Sequence, residues 1–198
     1  MIYSGLQNFT VSAPASGSNF GTIPFGFGPA AQIKMGVEHI KSGGYPLGAA
    51  FIYGAGGGGF HSGFIKNGSS QVMKLAAGAV ISAGKPFARN DAGLRAFSNG
   101  APEGGTWASN QLGFAGIRLF NGGNTYYGWI RFEWTAFGGG DPDPATFTAV
   151  DWAYDNQAGE AVTAGQGLPA PEPSATALLA LAGAGAAFLR RKRVAQNS

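Results

Sequence analysis

The chain contains no cysteine, which excludes disulfides, thiolate metal sites and a cysteine nucleophile. Histidine is nearly absent too: His39 and His61 are the only imidazoles. No H-E-x-x-H or G-x-S-x-G pattern surrounds either of them, so zinc-protease and serine-hydrolase signatures are missing. Charged residues make up 12%, about half of the usual ~25%. Apolar residues, by contrast, reach 44% with 15 Phe, enough to build a core and to exclude a disordered chain. The 35 glycines among 198 residues point to many turns.

The formal net charge of +3 could suggest a nucleic-acid partner, so its position matters. Four of the 13 Lys and Arg residues (Arg190, Arg191, Lys192 and Arg193) sit at the far C-terminus, leaving nine in the body. Of the ten Asp and Glu residues only Glu172 belongs to that end, which also leaves nine. The body is neutral and offers no basic patch to neutralise phosphates, so no nucleic-acid partner is expected.

Period-two alternation is the main pattern of the body. Residues 2–11 predict a first strand and residues 12–19 a Ser/Ala/Pro/Gly turn cluster. In residues 32–40, Ile33, Met35 and Val37 share a face with His39, which reads as a core histidine. Short strands are expected at 49–53, 71–75 and 79–82, and a long polar excursion at 84–110, with Trp107 near its end. Residues 112–120 and 125–135 then form a hairpin around Asn121-Gly122-Gly123-Asn124, since Asn and Gly accept positive φ. One face of the second strand carries Tyr126, Gly128, Ile130, Phe132 and Trp134. The other carries Tyr127, Trp129, Arg131 and Glu133, with Arg131 beside Glu133. Residues 146–154 predict another strand with Val150, Trp152 and Tyr154 in alternation, and 161–164 a last short one.

Two motifs invite a cofactor or metal. Gly54-Ala55-Gly56-Gly57-Gly58-Gly59 matches G-x-G-x-x-G, but no helix pattern follows and no acid stands about 20 residues on, so a hairpin loop is the better reading. Asp141-Pro142-Asp143-Pro144 lacks the glycine and the further oxygen ligands of a calcium loop and reads as a turn. No cofactor and no metal site are expected.

The C-terminus has a different organisation. Pro171-Glu172-Pro173-Ser174 excludes helix at its start, and from Ser174 to Leu189 no residue is charged. The cations Arg190, Arg191, Lys192 and Arg193 follow, as the positive-inside rule expects of a cytoplasmic end. The sixteen uncharged residues rise about 24 Å as a helix, short of a ~30 Å hydrocarbon core. A buried helix of a soluble domain would fit that length. The run is nevertheless apolar on every face, and snorkelling arginines with local thinning cover the shortfall, so a membrane helix is expected.

This order of proline motif, Ala/Leu/Gly run ending in Phe188-Leu189, and basic cluster resembles the PEP-CTERM sorting tail of Gram-negative bacterial surface proteins. The resemblance implies export, transient anchoring in the inner membrane, and processing by a membrane-embedded exosortase. Because residues 1–11, MIYSGLQNFTV, show no basic and apolar leader, a leader is expected upstream of Met1. A second resemblance covers residues 112–165. Phe114-Ala115-Gly116-Ile117-Arg118-Leu119-Phe120, Tyr127-Gly128-Trp129-Ile130-Arg131, Val150-Asp151-Trp152-Ala153-Tyr154 and Gly159-Glu160-Ala161-Val162 are similar to a recurring exported domain with GFRF, YGW and VDWAYE hallmarks. It departs at Ile117, Leu119 and Asp155, and it implies a β-sandwich-like domain without established chemistry.

The expectation is therefore an all-β protein. Residues 1–165 form an antiparallel β-sandwich or jelly-roll-like domain, 166–173 a linker with the PEP motif, and 174–198 a transmembrane sorting helix. The expected function is non-catalytic, at the cell surface or in an extracellular matrix, with exosortase and the inner membrane as partners and exopolysaccharide as a further one. The alternative is a lectin-like module whose platform is Trp107, Tyr127, Trp129 and Arg131. A hydrolase built on Glu133 and Asp151 is the third reading.

Overall fold

Successive side chains of an extended chain point to opposite faces, so an alternating segment can bury one face and leave the other free. The computed structural model describes residues 1–13, 17–26, 32–42, 45–54, 56–57, 60–67, 71–88, 92–98, 101–104, 107–108, 110–136 and 144–169. Among the described residues there are strands and turns and no helix, hence none long and apolar enough to cross a membrane. The expected helix at 174–198, the PEP motif, the basic cluster and the Asp141–Asp143 turn lie outside the described residues. Residues Met1–Gly167 form one compact unit and Leu168–Ser198 another.

The first sheet is seven-stranded. It runs β1 (Ile2–Tyr3), β15 (Pro144–Tyr154), β14 (Asn124–Ala136), β13 (Gly113–Asn121), β8 (Gly63–Ile65) and β10 (Phe87–Ala88), and β2 (Phe9–Ser12) pairs with the other end of β15. The second, five-stranded, runs β12 (Ala101–Gly104), β11 (Ala92–Ser98), β5 (Tyr45–Gly54), β4 (Ile33–Ser42) and β3 (Gly17–Ile23). Two small ladders join β6 (Gly56–Gly57) to β7 (Phe60–His61) and β9 (Val80–Ile81) to β16 (Val162–Thr163). The pairings are antiparallel.

Both sheets contribute to one core. Ile33, Met35, Val37, Ala50 and Ile52 of the second sheet are fully buried with Ala115, Ile117, Leu119, Ile130, Phe132 and Phe147 of the first. His39 is buried on the same side of β4 as Met35 and Val37, as alternation requires. Part of the outer face of the first sheet is also covered, because β14 carries Tyr127 and Trp129 on that side. Trp129, Ile65, Ile81, Val162 and Ala164 are buried there, outside the main core. The β9–β16 ladder lies over this face, locked by the Gly78 N–H on the Ala164 carbonyl and the Ala164 N–H on the Ala79 carbonyl. Gln166, expected in the linker, belongs to the body: its carbonyl accepts the Trp129 indole N–H at 3.1 Å.

The central hairpin matches its expectation. Asn121 pairs with Asn124, and Gly122 and Gly123 have φ of 57° and 85°, the two positive values of a type I′ turn. Three expectations fail. Residues 17–23, placed partly in a turn, pair with β4 along their whole length, so pairing overrides weak Gly/Ser/Asn propensity. The polar excursion 84–110 contains β10, β11 and β12. Residues 71–75 are not a strand: they make isolated bridges from Val72 to Lys66 and from Leu75 to Phe114.

Gly128 is the register partner of Tyr154 on β15, and a Cβ there would sit 2.4 Å from the Ala153 carbonyl oxygen and 2.8 Å from the Tyr154 Cβ. Gly128→Ala forces the backbones apart and is expected to destabilise the fold by about 1–3 kcal/mol. Denaturant unfolding of the two proteins checks this; an unchanged midpoint would refute it.

Candidate functional site

Position 150 decides the geometry of β15. Arg131 is the register partner of Asp151 and Phe132 that of Ala149, so Val150 is an extra residue in a β-bulge. Phe147 and Ala149 face the core before the bulge, and Trp152 and Tyr154 face it afterwards. Trp152 and Tyr154 share the core face as expected, while Val150, the extra residue, is half-buried and stands outside that core. The shift sends Asp151 to the outer face, the side that Arg131 occupies on β14.

There Asp151 is fully buried and both of its oxygens are engaged. Arg131 Nε donates to Oδ1 at 2.9 Å and Nη2 to Oδ2 at 2.5 Å, a fork that matches the carboxylate plane. The Tyr3 hydroxyl donates to Oδ2 at 2.8 Å across 148 positions of sequence. Tyr3 is pushed up to about 12, first by burial, then by its hydrogen bond to the Asp151 carboxylate and the negative charge there. The Tyr3 ring lies 6.1 Å from that of Trp129, which meets Phe114 edge-on at 5.3 Å. The expected partner of Arg131, Glu133, is replaced by Asp151, because cross-strand neighbours at this register lie closer than i, i+2 neighbours along one strand.

This placement corrects the sugar-platform reading. Stacking a sugar needs an open ring face, but Trp107 and Trp129 are 0% exposed and Tyr127 5%. Trp107 closes one end of the core: its indole N–H donates to the Val72 carbonyl, and its own carbonyl accepts the Trp134 indole N–H. Tyr127 packs on Phe87 at 5.8 Å, while the Arg118 guanidinium covers the Phe87 ring at 5.0 Å. The paired-carboxylate reading meets a similar obstacle. The oxygens of Asp151 are committed to Arg131 and Tyr3, so it is not a free base beside Glu133.

The opposite face of the same strand end lines a half-open cleft of about 200 Å³. Trp152 and Tyr154 form its floor, with Ile2, Pro24 and Phe25 as apolar walls. Phe25 meets both rings edge-on, at 5.9 and 6.1 Å, and its carbonyl accepts the Tyr154 hydroxyl. Burial raises the Tyr154 phenol above its ordinary value. Ser4 and Gln7 supply the polar wall. Their loop is pinned to the bulge, since the Val150 carbonyl accepts the N–H groups of both Gln7 and Asn8. The Ser4 hydroxyl accepts the Trp152 N–H and donates to the Gly5 carbonyl. Gln7 donates one amide N–H to the Ser4 carbonyl.

Alternation alone could not assemble this cleft. Ser4, Gln7, Pro24 and Phe25 carry no local pattern that separates them from ordinary loop residues, and their partners lie more than a hundred positions away.

Replacing the acid of the network by an amide removes the negative charge from a fully buried site and leaves the half-buried Arg131 guanidinium and the Tyr3 phenol to share one neutral acceptor oxygen. Asp151→Asn is expected to cost about 3 kcal/mol, and Tyr3→Phe about 1–2 kcal/mol at neutral pH. Tyr3 also makes a signed pH prediction. The unfolded phenol loses its proton near 10 and the folded one near 12, so between these values the unfolded state binds fewer protons. Stability contributed by Tyr3 is complete below pH 10 and falls as pH rises through about 12. Urea unfolding across that window should show a shallower alkaline loss for Tyr3→Phe than for the parent; parallel curves would count against the network.

Comparison with protein families, with curated proteins and with solved structures finds no match to this chain.

Proposed function

We propose that this chain is a non-catalytic, exported protein of the cell surface or extracellular matrix, delivered by a C-terminal sorting tail of the PEP-CTERM kind. The observation that carries this reading is the order of the last thirty or so residues: Pro171-Glu172-Pro173-Ser174, an uncharged Ala/Leu/Gly run, then Arg190, Arg191, Lys192 and Arg193. The uncharged run enters the inner membrane as a helix, and the basic cluster stays on the cytoplasmic side. An exosortase then cuts near the proline motif and releases the body outward. The body is a β-sandwich, its two antiparallel sheets sharing one core. A neutral, cysteine-free body with a partly covered outer sheet face suits a stable structural or display module. Commitment of the Asp151 oxygens to Arg131 and Tyr3 supports the non-catalytic reading over a two-carboxylate hydrolase.

Two variants test the tail in the producing cell. One replaces Pro171, Glu172 and Pro173 by alanine, and the other replaces the four cations by glutamine. Each should accumulate as an unprocessed or mislocalised species on fractionation and immunoblotting. Normal processing of both variants would rule the sorting role out.

A further inference from the structure

We propose that the cleft bordered by the exposed side chains of Ile2, Gln7 and Pro24, with only an edge of the buried Trp152 indole, binds the terminal unit of a neutral sugar. Three features of the cleft define this ligand. First, among the described residues none of its lining side chains is ionisable near neutral pH: Ile2, Pro24, Phe25 and Trp152 are uncharged, Ser4 and Gln7 are neutral polar groups, and the Tyr154 phenol is raised above its ordinary value. A charged group entering here would shed water without a counter-charge. Second, the volume of about 200 Å³ is small, below the ~300 Å³ at which pockets hold drug-sized ligands. The Tyr154–Phe25 hydrogen bond ties the floor to one wall, so the cleft receives the end of a chain. Peptide ends carry an ammonium or a carboxylate, whereas the end of a neutral glycan carries hydroxyls and an apolar C–H face.

Third, the cleft has polar groups to spare. Trp107, Trp129 and Trp134 each donate their indole N–H to a carbonyl. Trp152 is the remaining tryptophan, and its indole N–H has no acceptor among the described residues. It is also not among the fully buried atoms that lack a partner, and Trp152 lines this cleft. On the same cleft, the exposed Gln7 amide keeps its carbonyl oxygen and one N–H open, since its other N–H goes to the Ser4 carbonyl. An indole donor, an amide acceptor and donor, and the exposed apolar side chains of Ile2 and Pro24 on one cleft complement the hydroxyls of a sugar and its C–H face. The polar groups orient the ring, and the apolar walls remove its C–H face from water.

This inference stands on the cleft and not on the tail, so it survives or fails separately from the sorting role. The test uses the full chain, ¹⁵N-labelled in a sugar-free detergent, titrated with methyl glucoside, methyl galactoside and methyl mannoside. Galacturonate and a blocked dipeptide serve as comparators. The indole N–H signal of Trp152, assigned by its loss in Trp152→Phe, should move saturably with at least one neutral glycoside. Gln7→Ala changes an exposed loop residue and should weaken that response by about fivefold without altering the other indole signals. Three outcomes would overturn the proposal: a Trp152 signal that no neutral glycoside moves, equal binding of galacturonate or the dipeptide, or an unchanged affinity in Gln7→Ala.

Discussion

The ion pair between Arg131 and Asp151 is the constraint on which the rest of the first sheet depends. A fully buried carboxylate is tolerated only when its charge and its lone pairs are both satisfied. Here the guanidinium fork and the Tyr3 hydroxyl do both. That arrangement requires Arg131 and Asp151 to project from the same face, which the bulge at Val150 provides. If Val150 were paired in regular alternation instead of bulging out, every side chain after it would change faces, and Asp151 would enter the core where Trp152 now packs. One inserted residue thus sets the register, the polarity of the outer face and the identity of the core residues beyond it.

The same bulge organises the N-terminal segment. Its carbonyl receives the N–H groups of Gln7 and Asn8, while Tyr3 reaches over to Asp151 on the outer face and Ser4 to the Trp152 backbone. Residues 1–12 are therefore sewn along β15 in two pieces, β1 and β2, with a loop between them. That loop is one wall of the cleft, and the segment after β3, held by the Tyr154 hydroxyl, is the other. Alternation gives the strand end two uses: Asp151 and Ala153 face the outer layer, and Trp152 and Tyr154 face the cleft and core.

Local pattern made part of this legible. The Asn121–Asn124 turn, the faces of β14 and the buried run of β4 all follow from interactions within a few residues, so period and turn chemistry sufficed. The edge strand β3 was hidden because glycine, serine and asparagine carry little intrinsic strand preference, and the strands inside residues 84–110 because they are short or rich in alanine, proline and glycine. Pairing with neighbours decided their conformation. Trp107, Tyr127 and Trp129 showed the opposite failure. Their chemistry suits ligand binding, but aromatic rings are equally good core material, and only burial distinguishes the two uses.

What the sequence determined alone was an all-β body, a charge imbalance confined to the last residues, and the three-part order of the tail, since each is a property of composition or short-range pattern. What only the tertiary structure decided was which aromatic rings are sealed, which acid meets Arg131, and that Ser4, Gln7, Phe25 and Trp152 border one cleft. These are contacts across long stretches of sequence, fixed by a one-residue bulge whose presence depends on the pairing of β14 with β15 and leaves no local signature of its own.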